Sequence, residues 1–154
     1  MQAIPHMKQI HYYRIIEFIA AIFILLFTYT AFSKLLGFTA FKNTLAKSPL
    51  IGNYAAMLAV AVPLIELIIA VLLIIPQKRK LGLYASFTLM LLFTIYLGYM
   101  ILFTSGLPCS CGGVLQQMTW PRHLWFNTGF TIVAATGLRM HRKFKNSIPV
   151  QDPA

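Results

Sequence analysis

Carboxylates are almost missing from this chain. Glu17, Glu66 and Asp152 are its three, set against 13 lysines and arginines. Cysteine is equally rare, with Cys109 and Cys111 the two in 154 residues. Charge of either sign is absent from positions 81–121, a run of 41 residues, and from the intervals 18–33, 48–65 and 123–138. These gaps exclude a soluble fold, because a chain this short has too little interior to hide four wholly apolar helices. Hydrophobic residues make up 58% of the chain and the mean hydropathy is +0.73, above the usual share for a soluble domain. Two cysteines cannot supply the paired spacing of an ordinary four-ligand zinc site. Internal repeats and low-complexity tracts are absent. Lys8 and Arg14 precede an apolar run in the manner of a signal peptide, but Glu17 interrupts it and no convincing small-x-small cleavage site follows, so a retained first span is expected.

What is present has membrane dimensions. A helix needs roughly 20 mostly apolar residues to cross the hydrocarbon core, and spans are predicted at about 15–33, 54–75, 81–104 and 120–138. The expected fold is an all-α integral membrane protein, one membrane domain over 1–154, built as a four-transmembrane-helix bundle. The first span follows a polar leader containing His6, His11, Tyr12 and Tyr13. Phe38, Phe41 and Leu45 recur at i, i+3 and i+7 with Lys42 and Lys47 elsewhere on the wheel, which predicts a short amphipathic helix on the outer membrane surface. Pro63 inside the second span removes a backbone donor and is expected to kink it. The apolar part of the fourth span, 124–138, is roughly 22 Å long, short of a core about 30 Å thick. Either Arg122 and His123 sit below the headgroups or the bilayer thins, and the preceding loop then dips into the membrane. Pro121 suits the first turn of that helix.

The net charge of +10 invites a nucleic-acid partner, but its placement follows topology. With four spans, one side holds Lys8, Arg14, Lys78, Arg79, Lys80, Arg139, Arg142, Lys143 and Lys145, nine cations, and the other holds Lys34, Lys42, Lys47 and Arg122, four. The positive-inside rule puts both termini in the cytoplasm, with 139–154 a basic cytoplasmic tail, and leaves no call for nucleic acid. It also puts the loop before the fourth span outside the cytoplasm, where disulfides persist.

That loop carries Cys109-Ser110-Cys111-Gly112-Gly113 after Pro108. Two residues apart in a turn, the cysteine Cα atoms can reach the roughly 4.4–6.8 Å a disulfide allows. The ring would be small and strained, and strained, exposed disulfides are the oxidising, labile ones. A static bridge across one residue closes almost no loop and adds little stability. A redox pair is therefore the leading reading. A soft-metal site completed by Met118 or His123 and two inert thiols are the alternatives. His123 is also placed to protonate a leaving thiolate. Glu66 lies inside the second span, where a carboxyl is a functional candidate such as a proton relay, or else an interhelical hydrogen-bonding residue. Lys34, at the outer end of the first span, either turns inward toward the second or snorkels. Arg14 and Glu17, at i and i+3, are expected to pair at the cytoplasmic end. Trp120, Trp125 and Phe126 flank the cysteine loop and suit either contact with a quinone ring or an aromatic belt. Asn127 is expected to hydrogen-bond within the bundle.

Ser33-Lys34-Leu35, Pro63-Leu64-Ile65-Glu66 and Leu107-Pro108-Cys109-Ser110-Cys111-Gly112-Gly113, followed by Trp120 and His123, resemble the methylamine utilisation protein MauE family and the wider DoxX group over roughly 14–138. The resemblance implies a DoxX-like bundle in the bacterial inner membrane. It also implies a thioredoxin-like extracytoplasmic partner for disulfide formation or exchange, which in the MauE case serves maturation of a disulfide-rich methylamine dehydrogenase subunit. Cys109 and Cys111 would be the redox pair of a thiol–disulfide oxidoreductase, with Lys34 and Glu66 as bundle residues; the substrate does not carry over. One dithiol holds one electron pair, so the other half-reaction needs a membrane quinone or a second protein. A non-catalytic membrane scaffold and a Cu(I)-handling membrane protein are the competing readings.

Overall fold

Backbone polar groups in a hydrocarbon environment must be satisfied within their own segment, which favours helices throughout an apolar chain. The computed structural model describes residues 3–103 and 120–146, and among these there is no strand. Five α-helices form: α1 (Ala3–Leu36), α2 (Phe38–Ala46), α3 (Ala55–Ile74), α4 (Arg79–Phe103) and α5 (Trp120–Asn146). The breaks have local causes. Ile75 is extended (φ −79°, ψ 113°) because the proline that follows crowds a helical residue before it. Pro76 then opens the 3-10 turn Pro76–Lys78 that leads into α4. A second 3-10 turn, Gly52–Tyr54, delivers the chain into α3, which continues through Pro63 without interruption.

Three stretches, Ile10–Leu36, Gly52–Ile74 and Pro76–Phe103, are long and apolar enough to cross a membrane. The fourth long helix, α5, has 27 residues, but His123, Asn127, Thr128, Thr131 and Thr136 dilute its apolar character. α1 packs on α3 and α5, and α4 packs on the same two, so the long helices close a ring in the order α1, α3, α4, α5. Consecutive members run in opposite directions. One end of the bundle therefore gathers Leu36, Ala55, Phe103 and Trp120, and the other gathers Ile74 and Arg79 with the end of α5.

Two expectations change. The leader before position 15 is helical and continuous with α1, and α5 runs on through 139–146 of the basic tail. The apolar face of α2 is turned onto protein: Phe41 and Leu45 are buried against Ala55 and Ala59 of α3, while Phe38 stays exposed. Those small alanines open the slot that the two larger side chains fill.

The main core lies between the four long helices, centred on Phe23 and Phe27 of α1 with Leu73 of α3, Leu83 of α4 and Ala134 of α5. Phe23 stacks on Phe27 and meets Phe130 of α5 edge-on, both at 5.6 Å between ring centres. Small residues let backbones approach, as membrane bundles require. A Cβ on Gly82 of α4 would lie 3.0 Å from the backbone nitrogen of Leu73 and 2.8 Å from its side chain. Phe18, Leu25, Ile68, Leu92, Ile95 and Ile132 point away from the core, as suits lipid-facing positions.

Candidate functional site

Lys34 occupies the last turn of α1, where a cation complements the helix dipole. Its side chain turns into the bundle. Nζ lies 2.7 Å from Oε1 of Glu66, and both residues are buried. Glu66 is eleven residues beyond Ala55, roughly 16 Å along α3. The ammonium also sits 5.8 Å from the Phe41 ring centre of α2 and 6.0 Å from that of Phe93 of α4. One charge pair thus joins four helices. Glu66 is 1% exposed, and its second oxygen, Oε2, has no hydrogen-bond partner among the described residues. Thr30 stands beside the carboxylate but donates its hydroxyl proton to the Phe27 carbonyl at 3.3 Å. Among the described residues the pair is anchored through one oxygen, with the other left as a buried acceptor.

The first turns of α5 carry a second polar stretch. His123 and Asn127 are both buried. Asn127 hydrogen-bonds within the bundle, to its own helix: Nδ2 donates to the His123 carbonyl at 3.1 Å. The bridge between helices is made one turn deeper, where the Thr94 and Thr131 hydroxyls meet at 3.2 Å: one donates to the other, whose own proton goes to a carbonyl of its helix, Met90 for Thr94 or Asn127 for Thr131. Two threonines inside apolar helices were the available signal in the sequence, too common to single out. Trp125 is 77% exposed and projects away from the bundle, so it does not line an interior site. Trp120 is the first residue of α5.

Cys109, Cys111 and Met118 lie outside the described residues, so their geometry stays an expectation. Their connection leaves α4 after Phe103 and enters α5 at Trp120, at the end of the bundle that also carries α2. Among the described residues no three His, Cys, Asp or Glu side chains converge on a metal position.

At the opposite end, Glu17 meets Arg79 of α4 at 3.6 Å and not its helix neighbour Arg14. Arg79 is fixed there by its bond to the Leu73 carbonyl at 3.5 Å and by the Tyr13 ring at 5.9 Å, which presents a held guanidinium to the half-exposed carboxylate. The contact ties α1 to the turn between α3 and α4.

No curated protein and no solved structure matches the chain. The family model described as methylamine utilisation protein MauE matches residues 13–140, a stretch that takes in α3 and α4 whole, most of α1 and α5, the Lys34–Glu66 pair and the segment holding both cysteines. With three membrane-length helices and a match over most of its length, this multi-pass membrane protein belongs to the MauE family.

Proposed function

We propose that the chain is an inner-membrane thiol–disulfide protein that uses Cys109 and Cys111 to exchange disulfides with a thioredoxin-like extracytoplasmic partner. The observation that carries this reading is the position of the chain's two cysteines: they share one short connection, between α4 and α5, inside the family match. α5 serves as the fourth span. Its length and its packing along α1 and α4 support that role, since a helix lying outside the bilayer would not share the core with three that cross it. The nine-to-four cation split supports cytoplasmic termini and an extracytoplasmic cysteine loop.

The exchange balances simply. A partner thiolate attacks one sulfur of the Cys109–Cys111 disulfide, a mixed disulfide forms, and the second partner thiolate displaces it. The partner loses two electrons and two protons, and the cysteine pair becomes a dithiol. Reoxidation delivers that electron pair to a membrane quinone or a second protein. A proton-handling role for Glu66 beside this step is supported by its being a buried carboxylate with one oxygen that has no hydrogen-bond partner among the described residues.

The test is trapping. Cys109→Ser and Cys111→Ser are each expressed in the native membrane under thiol-blocking conditions. One of them should accumulate a reductant-sensitive adduct of higher mass, and the double variant should accumulate none. A double variant that keeps full function would establish the scaffold reading in its place. Failure of both single variants to trap a partner, with the pair never changing redox state, ends the thiol-exchange reading.

A further inference from the structure

At the end of the bundle opposite Phe103 and Trp120, two cations share one phenol. Tyr84 lies in the second turn of α4, and its oxygen accepts from Arg142 of α5 through Nη2 at 2.8 Å and Nε at 3.3 Å. The Arg142 guanidinium is 5.9 Å from the Tyr84 ring centre, and the Lys80 ammonium is 6.0 Å from the same ring. Arg139, one turn before Arg142, is also exposed. Two like charges drawn to one partly buried ring repel each other, which an anion between them would relieve, and a cation–π contact near the surface contributes only about 0.5–1 kcal/mol. Neither carboxylate of the described residues plays that part. Glu17 is bonded to Arg79 at 3.6 Å and Glu66 is buried on Lys34.

The donors left over define what fits. The Tyr84 oxygen accepts from Arg142, which leaves its hydroxyl proton to donate. Arg142 retains N–H groups not used on the phenol, and Lys80 adds an ammonium. Three donors with two positive charges suit a singly charged phosphate oxygen pair. The surroundings identify its source. Leu81, beside Lys80, is exposed, and the membrane-length stretch Pro76–Phe103 begins at this level. A phosphate held here has apolar helix surface next to it, where acyl chains would lie. A choline or ethanolamine group would bring a third cation into the cluster.

We propose that Lys80, Tyr84 and Arg142 form a headgroup site for an anionic phospholipid, binding its phosphodiester where α4 and α5 meet the bilayer surface. The probe is phosphatidylglycerol, present as a minority lipid in phosphatidylcholine nanodiscs, with retained lipid read by native mass spectrometry. The wild-type protein should retain phosphatidylglycerol selectively. Lys80→Gln and Arg142→Gln should each weaken retention roughly fivefold, as expected for one cation at a membrane surface. Tyr84→Phe leaves the charge unchanged and should also weaken it, which diffuse attraction would not do. Lys42→Gln, on α2 at the far end, should leave retention as in the wild type. All four side chains lie at the surface or keep their ring, and a matching circular dichroism melt verifies each variant's fold. Retention unaffected by the Lys80 and Arg142 substitutions, or equal loss with Lys42→Gln, overturns the site. Displacement of the lipid by excess inorganic phosphate overturns the assignment to lipid.

Discussion

A lysine at the end of an apolar helix has two places for its ammonium, and in Lys34 the choice carries the design of the site. Snorkelling would leave it in headgroups; instead it descends to Glu66 at 2.7 Å. Breaking a buried pair leaves an uncompensated charge and costs about 3–5 kcal/mol, whereas replacing both members by apolar residues is often neutral. Lys34→Met is therefore expected to lower the thermal midpoint in detergent sharply, and Lys34→Met combined with Glu66→Leu to recover most of it. Redox cycling separates structure from proton handling: a purely structural pair returns with stability in the double variant, whereas a proton-carrying Glu66 leaves it slow. Unchanged stability in Lys34→Met would show that the contact holds nothing together. Both residues stand out in the sequence as charges at or inside apolar intervals, and an inward Lys34 can be read there as one of two options. Their contact spans 32 residues, beyond what helical periodicity reports, as is the direction in which Thr30 sends its proton, to the Phe27 carbonyl.

Among the elements, α3 and α4 pack tightly at Gly82. The Leu73 backbone stands where a Cβ would go, so the helices must part to admit a side chain. Overpacking of this kind costs about 1–3 kcal/mol. Gly82→Val should lower the thermal midpoint, while Gly98→Ala, with nothing within 4 Å of its added carbon, should not; equal melts for the two would refute the close approach. Three of the long helices are legible in the sequence because their apolar stretches have membrane length, whereas α5 is read from a shorter apolar interval opened by Pro121. α2 is legible as a helix from the spacing of Phe41 and Leu45, but its cover is not: whether an amphipathic face meets lipid or protein depends on Ala55 and Ala59 being small enough to receive it. Likewise the Arg142–Tyr84 bond joins residues 58 apart, and no local pattern announces it. Glu17 has cations nearby in sequence, yet its partner is set by where α4 begins.

For the whole molecule, the proposed topology has a direct test. A membrane-impermeant maleimide should label Cys109 and Cys111 in intact, reductant-treated cells with a permeable outer barrier, and a tag at the C-terminus should stay protected. A labelled interior tag with protected cysteines would reverse the orientation and remove the redox reading. The Lys34–Glu66 pair also bears on how such a bundle is made. Synthesis proceeds from α1 onward, so Lys34 enters the membrane before the segment bearing Glu66 has left the ribosome. During that interval its ammonium has no carboxylate to meet and must extend to the headgroups. Arrival of α3 offers the carboxylate, the side chain swings down, and α1 and α3 are joined before α4 and α5 close the ring. A chain that has not brought α1 and α3 together leaves the Glu66 carboxyl within the bilayer without the lysine that meets it in the closed bundle.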